Sequence, residues 1–259
     1  MKKQLFFCVF ILGAFGAESL AQQRSPRDVA QVDITGNWVP LITEDWRWRM
    51  ITPPKGNYAS IPLNDAGKKA TDAWDLAKDE AAGEQCKAYG AAAIMRMPVR
   101  VRISWADDST LKIETDGGQQ TRLFNFDKTK QPAGPRTLQG FSSAEWTRPP
   151  AGRGRGGTVP PPPSGALKVV TKNLRPGYLR KNGVPYSENA IVTEYYDRLS
   201  AYGIEYLTVT TIVEDPAYLT QPFFTSTEFK REPDGSKWSP SPCKTEPPIA
   251  SSWPSGEIR

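Results

Sequence analysis

The 259-residue chain contains no histidine, and that single absence removes much of the chemistry open to a small protein. Without imidazole there is no Ser-His-Asp triad, no Cys-His dyad, no H-E-x-x-H zinc helix and no histidine general base. Cysteine is scarce as well: Cys8 lies in the N-terminal apolar stretch, which leaves Cys86 and Cys243 for the rest of the chain. Two thiolates are too few for an all-cysteine tetrahedral zinc site. No EF-hand pattern occurs, so no metal and no cofactor is expected. No apolar run reaches the roughly 20 residues that a membrane-spanning helix needs. Nor is there a strong excess of one charge. A formal charge of +5 spread over the whole chain is not the footprint of a nucleic-acid-binding protein.

What is present begins with "MKKQLFFCVFILGAFGAESLAQQ", in which Lys2 and Lys3 precede an apolar run from Leu5 to Ala17 and small residues follow at Ser19 and Ala21. This is the pattern of a secretory signal peptide, residues 1–21, cleaved after Ala21. The expected mature chain, residues 22–259, carries no membrane anchor and is periplasmic or secreted. An oxidising compartment suits a disulfide between Cys86 and Cys243. Closing a loop of roughly 158 residues would stabilise the fold by about 5 kcal/mol on chain-entropy grounds. It would also pin the C-terminal tail, residues 233–259, to the segment after the expected helix.

Beyond residue 95 the periodicity is that of strands. "VRVRISW" (99–105) sets Val99, Val101, Ile103 and Trp105 on one face and Arg100, Arg102 and Ser104 on the other. "TLKIETD" and "QTRLFNF" flank Gly117 and Gly118, which supply the chemistry of a hairpin turn. Five further runs follow at 138–147, 166–174, 190–199, 205–214 and 223–232, rich in Thr, Val, Tyr and Phe. Upstream lie one more strand, "GNWVPLI" (36–42), and one helix over about 65–85, capped by Asn64 or Asp65. The expected fold is therefore all-β: one domain built as an antiparallel up-and-down barrel of eight to nine strands, with one helix inserted after the first strand. Closure would remove the exposed edges of so long a meander. A two-sheet β-sandwich is the alternative.

Gly36 and Trp38 at the head of the first strand, followed by eight strand-like runs, resemble the calycin group of lipocalins and fatty-acid-binding barrels. The resemblance implies that Trp38 closes one barrel end, with Arg231 on the last strand as its packing partner. The wording of "TEDWRWRM" (43–50) and "LRPGYLRKNGVPYS" (174–187) also resembles an exported bacterial family of unknown function. Neither resemblance implies a reaction.

The same two stretches hold the candidate ligand-binding residues. If β parity continues from the first strand, Trp38, Ile42, Trp46, Trp48 and Met50 share one side and Arg47 and Arg49 the other. The tryptophans then either line the interior with the arginines outside, or form an aromatic wall with guanidinium groups at a barrel mouth. Arg175, Tyr178, Arg180 and Lys181 lie on a Pro- and Gly-punctuated loop, and Tyr195 on a later strand. Should the two cationic stretches meet, Trp46 and Trp48 would be the apolar wall, Arg47, Arg49, Arg175 and Arg180 the anion partners, and Tyr178 and Tyr195 hydrogen-bonding aromatics. "GRGRGG" (152–157) matches a dinucleotide-loop spelling, but "TVPPPPSG" follows where a helix must begin. Residues 148–165 read instead as a flexible loop with a polyproline segment. Glu194 and Glu214 are the acids to test if the protein is an enzyme, since burial on a strand can raise a carboxyl pKa.

These readings converge on an exported barrel that binds a small amphipathic or acidic (anionic) ligand in its β-barrel cavity and performs no chemistry; an interior filled with side chains would overturn the cavity. A histidine-independent lyase, isomerase or hydrolase is one rival. An envelope structural module with a protein partner is the other.

Overall fold

A computed structural model of the chain describes residues 24–147 and 166–249. The expected signal peptide, the Pro-rich segment 148–165 and the end of the tail lie outside them. Nine strands close into one barrel: β1 (Gly36–Leu41), β2 (Val101–Asp107), β3 (Thr110–Thr115), β4 (Thr121–Asn125), β5 (Phe141–Thr147), β6 (Ala166–Lys172), β9 (Ile191–Ala201), β10 (Ile204–Glu214) and β11 (Phe223–Glu232). β7 (Gly177–Arg180) and β8 (Val184–Tyr186) form a separate hairpin inserted between β6 and β9. Round the ring the order is β1, β11, β10, β9, β6, β5, β4, β3, β2, and β1 pairs with both β11 and β2. All eight strand-like runs, and the first strand, are found in this ring.

An antiparallel neighbour reverses direction, so a closed ring with an odd number of strands cannot be antiparallel throughout. The exception is β4 with β5, which run parallel through Phe124 opposite Ser142 and Asn125 opposite Ser143. Loop 126–140 makes this possible by carrying the chain back from one end of the barrel to the other. Pro40 lacks the donor a central strand position needs. Its place is tolerated because β2 leaves β1 at Trp38, while Pro40 faces Phe229 on β11.

Alternation fills the interior as the sequence indicates: Val101, Ile103, Leu111, Ile113, Phe124, Leu167, Val169, Leu207, Val209 and Phe229 are all buried. Trp38 is fully buried, its indole N–H donates to the carbonyl of Ile34 at 3.0 Å, and the Arg231 guanidinium lies 5.8 Å from its ring. Arg231 and Arg198 both pair with Glu205, and this contact holds the Glu205 carboxyl below its ordinary pKa.

Three expectations are corrected. The helix over 65–85 is two helices, α2 (Asp65–Ala73) and α3 (Leu76–Ala81), with α1 (Trp46–Arg49) a single turn before them. Asn64 caps α2 by accepting from the amide of Gly67 at 2.9 Å, and Asp75 caps α3 through the amides of Ala77 and Lys78. A second cap inside the apolar pattern starts a new helix. The stretch "TEDWRWRM" does not continue β1 either: Asp45 sits at φ 53° and turns the chain into α1. Third, 174–187 is the β7–β8 hairpin and not an irregular loop. At its turn Gly183 (φ 79°) lies against Trp74, where an added Cβ would come 2.0 Å from the ring.

These inserted pieces build a cap over one barrel end, with a second apolar core formed by Ile61, Leu63, Leu179, Val184, Tyr186 and Phe223 among others. The disulfide joins Cys86 to Cys243 with an S–S distance of 2.01 Å, and the tail is thereby bound to the cap as expected.

Candidate ligand-binding sites

Three polar or open places stand out, one inside the barrel and one at each end. Within the barrel, Arg122 on β4 reaches across β5 and β6 to Glu194 on β9. Its two terminal nitrogens donate to the two carboxylate oxygens at 2.9 and 2.5 Å. Thr171 accepts from Arg122 at 3.2 Å, Ser142 and Thr171 share a hydroxyl bond of 2.7 Å, and the Tyr196 hydroxyl donates to Glu194 at 3.1 Å. Burial opposes the charge on Arg122, but the adjoining carboxylate outweighs it and raises the guanidinium pKa. Burial, followed by the Glu194 charge, raises that of Tyr196.

This arrangement decides against the pair of acids read from the sequence. Glu194 is buried but engaged on both oxygens, whereas Glu214 is exposed and points to the outer face of the sheet. The two cannot act on one substrate. Arg122 was legible in "QTRLFNF", where it shares a face with Phe124 and Phe126; a cation in an apolar row signals a buried partner.

At the capped end the two cationic stretches do meet, though only in part. The Arg180 guanidinium stacks 4.8 Å from the Trp48 ring, beside Arg49 and Arg96, around a pocket of about 20 Å³. Arg49, expected outside with its neighbour, is only 3% exposed, while Trp46 is 45% exposed. A helical turn separates side chains by about 100° each, so the alternation of Trp and Arg does not sort into two faces. Arg47 lies over the exposed Trp46 ring at 5.5 Å, away from the pocket. Arg175 pairs with Glu84 at 2.8 Å, and Tyr178 donates to Asp79 at 2.7 Å beside Lys87 and the Trp74 indole. Burial, then the bond to Asp79, raises the Tyr178 pKa. Tyr195 faces out from the barrel between Lys168 and Thr210.

The opposite mouth holds a pocket of about 260 Å³ that involves none of the sequence-derived site residues. Its walls are Trp105 at the end of β2, Leu111 at the start of β3, Trp146 at the end of β5, and Val32 and Ile34 from the segment that crosses the mouth before β1. That segment is fastened by the Trp146 indole donating to the carbonyl of Pro26 at 2.9 Å and by Arg198 donating to that of Asp33 at 2.6 Å. Trp105, Phe126 and Trp146 pack together with ring centroids 5.4 to 6.5 Å apart. Asp33, Thr35 and Arg27 supply the polar rim. Burial works against ionisation of Asp33, yet the bonds from Thr35 with Arg198 and Arg231 nearby lower its pKa overall. The available sequence signal was parity: Trp105 and Trp146 each end an inward-facing row.

The fold and these sites define a capped, mixed nine-stranded barrel with a pocket in its uncapped mouth. No family model, curated protein or solved structure matches this chain.

Proposed function

We propose that this is an exported, periplasmic or secreted protein that binds a small amphipathic ligand and performs no chemistry on it. The observation that carries the reading is the aromatic-walled pocket in the uncapped mouth, about 260 Å³ in volume. That is just below the roughly 300–1,000 Å³ of pockets for drug-sized ligands, which combine apolar walls with a few polar groups, so the ligand is smaller than those. The apolar part of the ligand lies against Trp105, Trp146 and Leu111, and its polar part faces Asp33, Thr35 and Arg27. The barrel interior is filled by side chains such as Phe124, Leu167, Tyr196 and Phe229, which corrects the expected central cavity, so the ligand sits at the mouth and not at the barrel centre. The Cys86–Cys243 bridge supports an oxidising compartment. Binding without turnover is supported by the engagement of Glu194 with Arg122.

The test is native mass spectrometry of protein purified from the periplasm, followed by denaturation and identification of any released molecule. Wild type should carry an amphipathic molecule that Trp146→Ala largely loses while its thermal unfolding stays cooperative. Protein that is empty under several growth conditions, or that keeps its ligand in Trp146→Ala, would overturn the reading.

A further inference from the structure

The cap carries a charge imbalance that its own residues do not resolve. Four cations converge on the small pocket there: Arg49, Arg96, Arg180 and Lys181. Three have carboxylate partners: Arg49 with Glu44, Arg96 with Asp45 at 2.7 Å, and Lys181 with Glu246 at 3.1 Å. Arg180 has none among the described residues. It is 6% exposed and donates only to two carbonyls, those of Asn57 at 3.5 Å and Ala59 at 3.0 Å. A buried charge is ordinarily paired, because removing it from water costs several kcal/mol that carbonyl dipoles only partly return.

Beside Arg180, a second buried guanidinium is incompletely satisfied. Nη2 of Arg49 is buried and has no hydrogen-bond partner, although Nε of the same side chain donates to Arg96 O at 2.9 Å and Nη1 is engaged by Glu44 and Leu41. Trp48 forms the wall across which Arg180 stacks, which fixes the plane of the guanidinium. Burial, and after it the neighbouring Arg96, lowers the pKa of Arg180, and the Asp45 carboxylate offsets this only in part; a bound negative charge would add to that offset.

From this geometry we infer a second binding site, specific for a small oxyanion group, a carboxylate or a phosphate, held by Arg180 against the Trp48 ring with Arg49 and Arg96 alongside. The pocket volume of about 20 Å³ exceeds the ~10–15 Å³ one water requires. It therefore accepts about one oxygen of such a group while the remainder of the ligand stays outside. A hydrogen bond between a guanidinium and an ionised oxygen is roughly twice as strong as one between neutral groups. The site is at the opposite barrel end from the aromatic pocket and does not depend on it.

Calorimetric titration of the full mature protein with inorganic phosphate and, separately, with acetate tests the site, at fixed ionic strength set with a bulky organic salt. Wild type should bind one equivalent of at least one of them saturably. Arg180→Gln should weaken that binding by about tenfold or more, as expected for a lost charge-assisted contact. Arg47→Gln, which alters an exposed arginine outside the pocket, should leave it unchanged, and so should Trp146→Ala. Phosphate binding without acetate binding would assign the group as phosphate, and the converse as carboxylate. Should Arg180→Gln fail to fold, anomalous scattering from crystals of wild type soaked in bromide decides the matter: the expected peak lies beside Arg180 and the Trp48 ring. No saturable binding of either anion, equal weakening by Arg47→Gln, or bromide found only elsewhere would overturn the site.

Discussion

Arg122 and Glu194 illustrate how a single buried residue is judged by its partner. Each is at most 2% exposed, and the pair is joined by two bonds with Tyr196 and Thr171 completing the shell. Removing one partner leaves the other as an uncompensated buried charge, so Arg122→Met alone should destabilise the fold by roughly 3–5 kcal/mol. Replacing both, in Arg122→Met with Glu194→Leu, should recover most of that loss, since apolar side chains of similar volume fill the same space without a desolvation cost. Urea unfolding of the two single variants and the double variant measures this directly. Additive losses in the double variant would mean that each residue is held by contacts outside the pair. Nε of Arg122 has no partner, so even the intact cluster is not fully satisfied, which favours recovery in the apolar double variant.

At the scale of elements, the helices of the cap depend on local signals that the barrel strands do not need. Asn64 satisfies one orphan amide of α2, and its side-chain nitrogen also donates to the carbonyl of Ala217 at 3.1 Å, tying the helix start to the β10–β11 connection. Asn64→Ala should cost about 1 kcal/mol through the lost cap, and somewhat more if the tie to Ala217 counts; the shift in urea midpoint at constant slope checks it. The contrast with the strands explains what was legible in the sequence. Alternation over five to eleven residues repeats enough to locate every barrel strand, and the expected contact of Trp38 with Arg231 is present. In the cap the deciding features are single residues. Asp45 at positive φ converts "WRWR" from a strand pattern to a helical turn, and Asp75 splits one expected helix in two. The Asp75 cap is local but is one residue within a continuing apolar pattern, and the turn at Asp45 is tied to Arg96, 51 residues away, which no short window records. The candidate sites suffered more, because a pocket is made by residues far apart in the chain. Trp48, Arg49 and Arg180 were identified as a possible group. Arg96, which stands on a 3-10 turn (Ile94–Arg96) with no periodic signal of its own, was not.

Over the whole molecule the disulfide sets the topology of stability. The tail after β11 crosses the outside of the barrel, where the Arg102 guanidinium lies 4.2 Å from the Trp238 ring, and then pairs Ser241 with Gly117 before Cys243 reaches Cys86. Lys244 continues it by donating its amide to the Tyr89 hydroxyl at 3.1 Å. Backbone bonds of Ser241 with Gly118 and Asp116 and the Lys181–Glu246 ion pair also fasten the tail, and the bridge adds the one covalent link between it and the start of the cap core. A loop of 157 residues in sequence confers about 5 kcal/mol by chain entropy in an unstrained bridge. The double variant Cys86→Ser and Cys243→Ser, or wild type under a reductant, should therefore lose several kcal/mol in urea unfolding. The loss should be unevenly felt. Amide exchange should rise first at residues 84–89 and 238–249, because opening there no longer breaks a covalent link, while β9 and β10, paired along eleven residues, stay protected until global unfolding. If exchange rose equally in β9 and β10, the bridge would be supporting the barrel as one cooperative unit with the cap. If neither stability nor exchange changed, the noncovalent contacts of Trp238, Ser241 and Lys244 would be sufficient to hold the tail.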